Sequence, residues 1–159
     1  GYQLDILARK PLWDNLMNYG HGTGHGVGSF LNVHEGPQAI GTGATGDLKT
    51  GIEPGMVISD EPAFYRPGLY GFRTENLLVC REEAVTEYGS FLSFETVTLC
   101  YIDQSLIDIH LLDDEELKWL NDYHGRVYKS LSKHLEPALR SWLAEKTKPM
   151  TRESKSKTR

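Results

Sequence analysis

The sequence predicts an α+β fold, and three observations carry that prediction. Runs with strand character and runs with helical periodicity fall into separate blocks rather than alternating. Eleven of the 16 glycines crowd between Gly20 and Gly55, too many for the interior of regular elements. The 159 residues are 39% hydrophobic and 25% charged, the make-up of a chain with a real core. That composition excludes a collagenous, coiled-coil or wholly disordered chain. No apolar run approaches the roughly 18 residues that a membrane-spanning helix needs.

The elements follow in order. Leu4, Leu7, Ala8, Leu12, Leu16 and Tyr19 recur at three- and four-residue spacing, which predicts helix over about 2–19. Pro11 should split it into two short helices. The glycine-rich stretch up to Gly55 reads as a long ordered loop, the kind of segment that carries function in small domains. Met56–Ser59 and Asn76–Cys80 read as strands separated by the turn signal Arg66-Pro67-Gly68, and Phe91–Tyr101 as a third strand. Asp113 followed by Glu116 predicts a capping box opening a helix with Leu117, Leu120, Val127, Leu131 and Leu135 on its apolar face. Pro137 suits the first turn of a further helix carrying Leu139, Trp142 and Leu143. The long amphipathic helix packs on the core or forms a homodimer contact, and the sequence leaves both open.

Charge is unevenly distributed. Lys and Arg number 17 against 22 Asp and Glu, a net −5, which argues against a nucleic-acid partner. From Lys146 to Arg159 there are six basic residues and one acidic one, and residues 151–159 read as a basic flexible tail. Cys80 and Cys100 lie in apolar runs and make no disulfide framework, which predicts a reduced, cytoplasmic setting. The chain begins at Gly1 and enters an amphipathic pattern at once, as an excised piece of a longer protein would.

Three motifs could carry chemistry. Gly41-Thr42-Gly43-Ala44-Thr45-Gly46 matches the dinucleotide fingerprint G-x-G-x-x-G, but the following Asp47–Gly55 cannot form the long helix that the pyrophosphate needs, so a loop is expected. His21-Gly22-Thr23-Gly24-His25-Gly26-Val27-Gly28 sets two imidazoles among four glycines, with His34 nine residues beyond His25. Glycines permit close backbone approach, and imidazole binds metals or moves protons near neutral pH. Glu61 and Glu75 interrupt strand-like sequence. They are either edge-strand charges facing water or buried carboxylates that require a partner.

These residues resemble those of the Xaa-Pro aminopeptidases (aminopeptidase P). The carriers are Leu4–Arg9, Gly20–Gly28, Phe30–Pro37, Ser59-Asp60-Glu61-Pro62, Gly71–Asn76, and Leu117–His124 with the segment ending near Met150. The resemblance implies the C-terminal half of a pita-bread fold, an antiparallel sheet with helices, followed by a C-terminal helical extension. Residues 1–112 would be the C-terminal half of the metallopeptidase catalytic domain, 113–150 the extension and 151–159 the tail.

It also implies an enzyme that removes the N-terminal residue from peptides with proline second, using two divalent ions, most often manganese, with zinc or cobalt as alternatives. His25, Glu61 and Glu75 would be metal ligands, with Glu75 bridging the ions. Glu61 would take the proton from water, and His34 would steady the tetrahedral intermediate. His21, Tyr65 and Arg73, with His34, would line the substrate pocket. Thr74 and Ala63 depart from the family pattern without removing a ligand. The family's two aspartate ligands and a further histidine belong to the half preceding Gly1, so the chain alone is expected to be inactive and to need that half as its partner. Two other readings remain: a non-catalytic peptide- or protein-binding module of the same fold, and a prolidase-type dipeptidase.

Overall fold

Helix α1 (Tyr2–Trp13) opens the chain as one helix, in the computed structural model that describes residues 1–30, 32–43 and 46–152. Pro11 does not divide it. Proline removes one hydrogen bond to the carbonyl four residues back, here that of Leu7, an exposed residue, and it does so in the last turn. The chain reverses just beyond. Met17 N–H donates to the Leu12 carbonyl at 2.9 Å, and Leu16 takes a left-handed φ of 58°. The helix expected to continue to Tyr19 therefore stops at Trp13. Its buried face also differs from the apolar stripe: Leu7 and Leu16 are 70% and 98% exposed, whereas Asp5 and Arg9 are buried.

The glycine-rich stretch contains a two-residue ladder, β1 (Gly24–His25) against β2 (Ala39–Ile40), antiparallel. Gly26 bridges to Ile58 and so ties this ladder to the main sheet. In the G-x-G-x-x-G run, Ala44 and Thr45 lie outside the described residues. Gly46 opens a single 3-10 turn, Gly46–Lys49, rather than a long helix.

The main sheet is antiparallel with the order β3 (Val57–Asp60), β6 (Asn76–Thr86) and β7 (Gly89–Thr96). Between the first two lies a hairpin, β4 (Ala63–Arg66) and β5 (Tyr70–Arg73). The Arg66-Pro67-Gly68 signal is the tip of this hairpin, with Gly68 at φ 74°. The register pairs Val57 with Val79 and Asp60 with Asn76, so Glu61 and Glu75 both lie one residue beyond the last rung. The expected strand 76–80 runs on to Thr86, its ladder with β7 continuing past an irregularity between Glu82 and Ala84; Arg81 meets Glu95 at 2.8 Å. The expected strand 91–101 ends at Thr96. Past it, Cys100 and Ile102 donate their N–H groups to the Tyr123 hydroxyl and His124 Nε2.

Two compact units divide between Thr98 and Leu99. The second contains α2 (Asp114–Leu131) and α3 (Pro137–Lys146). The capping box forms as expected: Glu116 N–H donates to Asp113 Oδ1 and Asp113 N–H to Glu116 Oε2, both at 2.8 Å. Tyr123, Val127 and Leu143 form the core, with Tyr101, Ile102, Tyr128, Leu131 and Leu135 packed around it. Of the residues expected to be apolar contacts of α3, Leu143 is buried, while Leu139 and Trp142 are about half exposed. Trp142 stands edge-on to Tyr101 at 5.3 Å. The tail lies outside the described residues from Glu153 onward.

Candidate metal centre

Close backbone packing fixes where the histidines can stand. A Cβ on Gly24 would meet the Ser59 carbonyl oxygen at 2.0 Å, and one on Gly26 would meet that of Glu35 at 1.9 Å. Only glycine lets β1 lie this close to β3, and the approach sets His25 beside Glu61. His25 N–H donates to Ser59 Oγ at 2.9 Å, and Glu61 N–H to the Thr23 carbonyl at 2.7 Å. Glu61 and His25 are thus anchored by their backbones before their side chains are considered.

The side chains converge. One ligand atom each from His25, Glu61 and Glu75 lie within 4.8 Å of one another. Glu61 is buried, His25 half-buried and Glu75 exposed. His25 Nδ1 lies 3.0 Å from the Gly26 carbonyl, an acceptor, which places the ring proton on Nδ1. Nε2 faces Glu61 Oε1 at 3.1 Å. In the neutral ring Nε2 is an acceptor, and two acceptors at that distance repel unless a cation lies between or beside them. The donor set of one imidazole and two carboxylates therefore fits a divalent ion.

Around this group lies a cleft of about 360 Å³ lined by His21, Gly22, Gly24, His25, His34, Glu61 and Arg73. The His34 ring packs against His25 with centroids 4.2 Å apart. Arg73 Nη1 donates to Glu61 Oε2 at 2.7 Å, and Nη2 to the Tyr65 hydroxyl at 2.7 Å. His21 Nε2 lies 3.0 Å from the same hydroxyl. The Tyr65 contact foremost, together with the charges of Glu61 and Glu75, holds the Arg73 guanidinium above its already high ordinary value. A permanent positive charge consequently stands beside the carboxylates.

All seven site residues singled out in the sequence gather here. Ser59 was missed, although its hydroxyl donates to Glu61 Oε1 at 3.0 Å and is itself buried. A serine within a strand-like run gives no signal until its register is known. The other missed group is the buried set Asp5, Arg9 and Thr23. An acid and a base four residues apart on a helix ordinarily mark a solvated face.

The comparisons with known proteins agree with this geometry. The model for metallopeptidase family M24 matches residues 1–82, and that for the C-terminal region of peptidase M24 matches residues 90–150. A protein of Aspergillus flavus described as a probable Xaa-Pro aminopeptidase P is 46% identical over 157 residues, or 96% of this chain and 24% of that protein. Its counterpart in Aspergillus fumigatus is 48% identical over the same shares. The chain thus spans about a quarter of the length of these relatives.

The crystal structure of X-prolyl aminopeptidase from Caenorhabditis elegans, described as a cytosolic enzyme with a di-nuclear active site, superposes with a TM-score of 0.82 at 42% identity. That match covers 94% of this chain and 25% of the other. The mixture of helices and antiparallel sheets is that of the C-terminal part of the pita-bread fold. With its family model matched over more than half its length and its ligand-type side chains gathered within 4.8 Å of one another, the chain belongs to metallopeptidase family M24.

Proposed function

We propose that the chain carries the C-terminal share of the active site of an Xaa-Pro aminopeptidase, which removes the first residue from peptides with proline second. The observation that carries this reading is the convergence of His25, Glu61 and Glu75 at the cleft that His25 and Glu61 line together with His34, His21 and Arg73. The names of the fungal relatives and of the nematode enzyme support it.

Two divalent ions, manganese for so carboxylate-rich a set with zinc or cobalt as alternatives, would polarise the peptide carbonyl and lower the pKa of an attacking water. His25, Glu61 and Glu75 would be this chain's contribution to holding them. Glu61 receives the water's proton at Oε1, the oxygen held by the Ser59 hydroxyl. His34, packed on His25, donates toward the oxygen that becomes negative as the carbonyl is attacked. Arg73, Tyr65 and His21, already linked to one another, orient the proline and the peptide beyond it.

The remaining ligands are assigned to the part of the protein outside this chain, whose relatives are about four times as long. A cytosolic setting accords with the free thiols of Cys80 and Cys100 and with the description of the nematode enzyme. Calorimetry with manganese tests the site. Weak binding near one ion, lost in Glu75→Ala, is expected; two tightly held ions would overturn the division of ligands. At full encoded length, manganese-dependent release of the first residue from an Xaa-Pro peptide is expected. Binding without release would mark a binding module, and cleavage restricted to dipeptides a prolidase-type enzyme.

A further inference from the structure

Helix α1 turns a charged pair inward while Ile6 and Leu7 stay exposed, and the charged pair has a destination. Arg9 is 2% exposed and uses its guanidinium as a clamp. Nε donates to Asp5 Oδ2 at 2.6 Å, Nη1 to Asn18 Oδ1 at 2.9 Å and to the Tyr19 carbonyl at 2.8 Å, and Nη2 to the His21 carbonyl at 2.6 Å. The guanidinium also stacks on the Tyr19 ring, 3.9 Å from its centroid. The second Asp5 oxygen accepts the Thr23 hydroxyl at 2.5 Å, and that hydroxyl lies 2.5 Å from the Tyr19 hydroxyl. Because Thr23 gives its proton to the carboxylate, Tyr19 must donate to Thr23.

This network ends on the candidate site from two directions. Arg9 fixes the main chain at His21, whose ring stands in the cleft. Thr23, fixed by Asp5 through its hydroxyl, receives the Glu61 amide on its own carbonyl at 2.7 Å. A pair needed only to attach a helix would not require four separate acceptors spread over residues 5–21. Burial of two charges is costly, and satisfying them fully yields orientation more than stability.

We propose that Asp5, Arg9 and Thr23 form a positioning device that sets the His21 and Glu61 backbones in the register the site needs. The consequence for activity rests on the metallopeptidase reading; the consequence for the backbone does not. Thr23→Val keeps the shape of the side chain and removes its hydroxyl, Thr23→Ser keeps the hydroxyl, and Tyr19→Phe removes only the donor to Thr23.

The test measures amide hydrogen exchange at Glu61 and manganese affinity for each variant, on the protein at its full encoded length. In Thr23→Val, exchange of the Glu61 amide is expected to rise, and manganese affinity to fall, by about tenfold each, the scale of one lost hydrogen bond to a charged group. Protection in the β6–β7 ladder should stay unchanged, Thr23→Ser should restore both quantities, and Tyr19→Phe should give a smaller change in the same direction. Should Thr23→Val unfold the protein, Tyr19→Phe alone decides. Unchanged Glu61 exchange, or equal loosening throughout the sheet, overturns the positioning role. If the unmodified protein binds no manganese, the metal reading falls by itself, and the Glu61 exchange still decides this proposal.

Discussion

Residues 1–98 bury Asp5, Arg9, Thr23, Gln38, Ser59 and Glu61 beside a small apolar set of Tyr19, Ile40, Ile58, Ala63 and Cys80. Beyond Leu99 the chain instead buries Leu120, Tyr123, Val127 and Leu143 with only His124 and Thr147 as buried polar side chains, and partly buried apolar neighbours pack against its core. A hydrogen bond adds only about 1 kcal/mol net, whereas filling a core with a large aliphatic side chain adds several times that. The first unit's interior is therefore the more polar of the two, and a larger share of it orients groups rather than adding stability. Among the described residues, no buried side-chain polar atom lacks a partner, so the polar interior is fully satisfied.

Breaking each unit at its own centre should separate these roles. The largest effect is expected from Glu61→Gln at full encoded length, which removes the proposed proton acceptor and weakens a proposed metal ligand. Turnover of an Xaa-Pro peptide should fall by roughly 10²–10⁴-fold while the thermal midpoint changes little. A loss below tenfold would count against Glu61 as the base.

Leu143→Ala should do the reverse. It opens the second unit's core at a cost of about 2–5 kcal/mol, read from the urea midpoint of tryptophan fluorescence, with manganese affinity unchanged. Asp113→Ala removes one half of the capping box and should cost about 1 kcal/mol by the same measurement.

The finest distinction concerns acid. His124 is buried in the second unit, and its pKa lies below the ordinary 6.5, chiefly because burial disfavours the imidazolium. The folded state therefore takes up its proton at lower pH than the unfolded state does. The stability of the neutral form is complete above 6.5 and is lost as pH falls from there through the lower folded value. Urea midpoints for the second unit should decline over that range, and His124→Gln should flatten the decline. An equal decline in the variant would assign it to other groups.

Much of this was legible in the sequence because the signals were local. The Asp113–Glu116 box and the helix behind it need only residues three and four apart, and the glycine-bounded histidines identify themselves by spacing. Pro11 misled because its effect depends on which carbonyl it deprives, and Leu7 is exposed. The β4–β5 hairpin was hidden because only its turn signal stood out from mixed sequence, and β6 ran on through charged residues whose partners lie on β7. Ser59 and the Asp5–Arg9–Thr23 set act through contacts across the chain, from residue 5 to residue 23 and from 59 to 25, that no periodicity records.

The register of β3 against β6 has an evolutionary consequence. Because Asp60 pairs with Asn76, the separation of Glu61 from Glu75 is set by the ladder and not by the number of residues in the hairpin between them. Length can vary at the Pro67–Leu69 tip without moving either carboxylate. One residue added between Asp60 and Glu61, or between Glu75 and Asn76, would instead turn one carboxylate away from the other. The tip is thus where a lineage can lengthen the hairpin, or an engineer can insert a reporter, while the spacing of the two carboxylates is inherited unchanged.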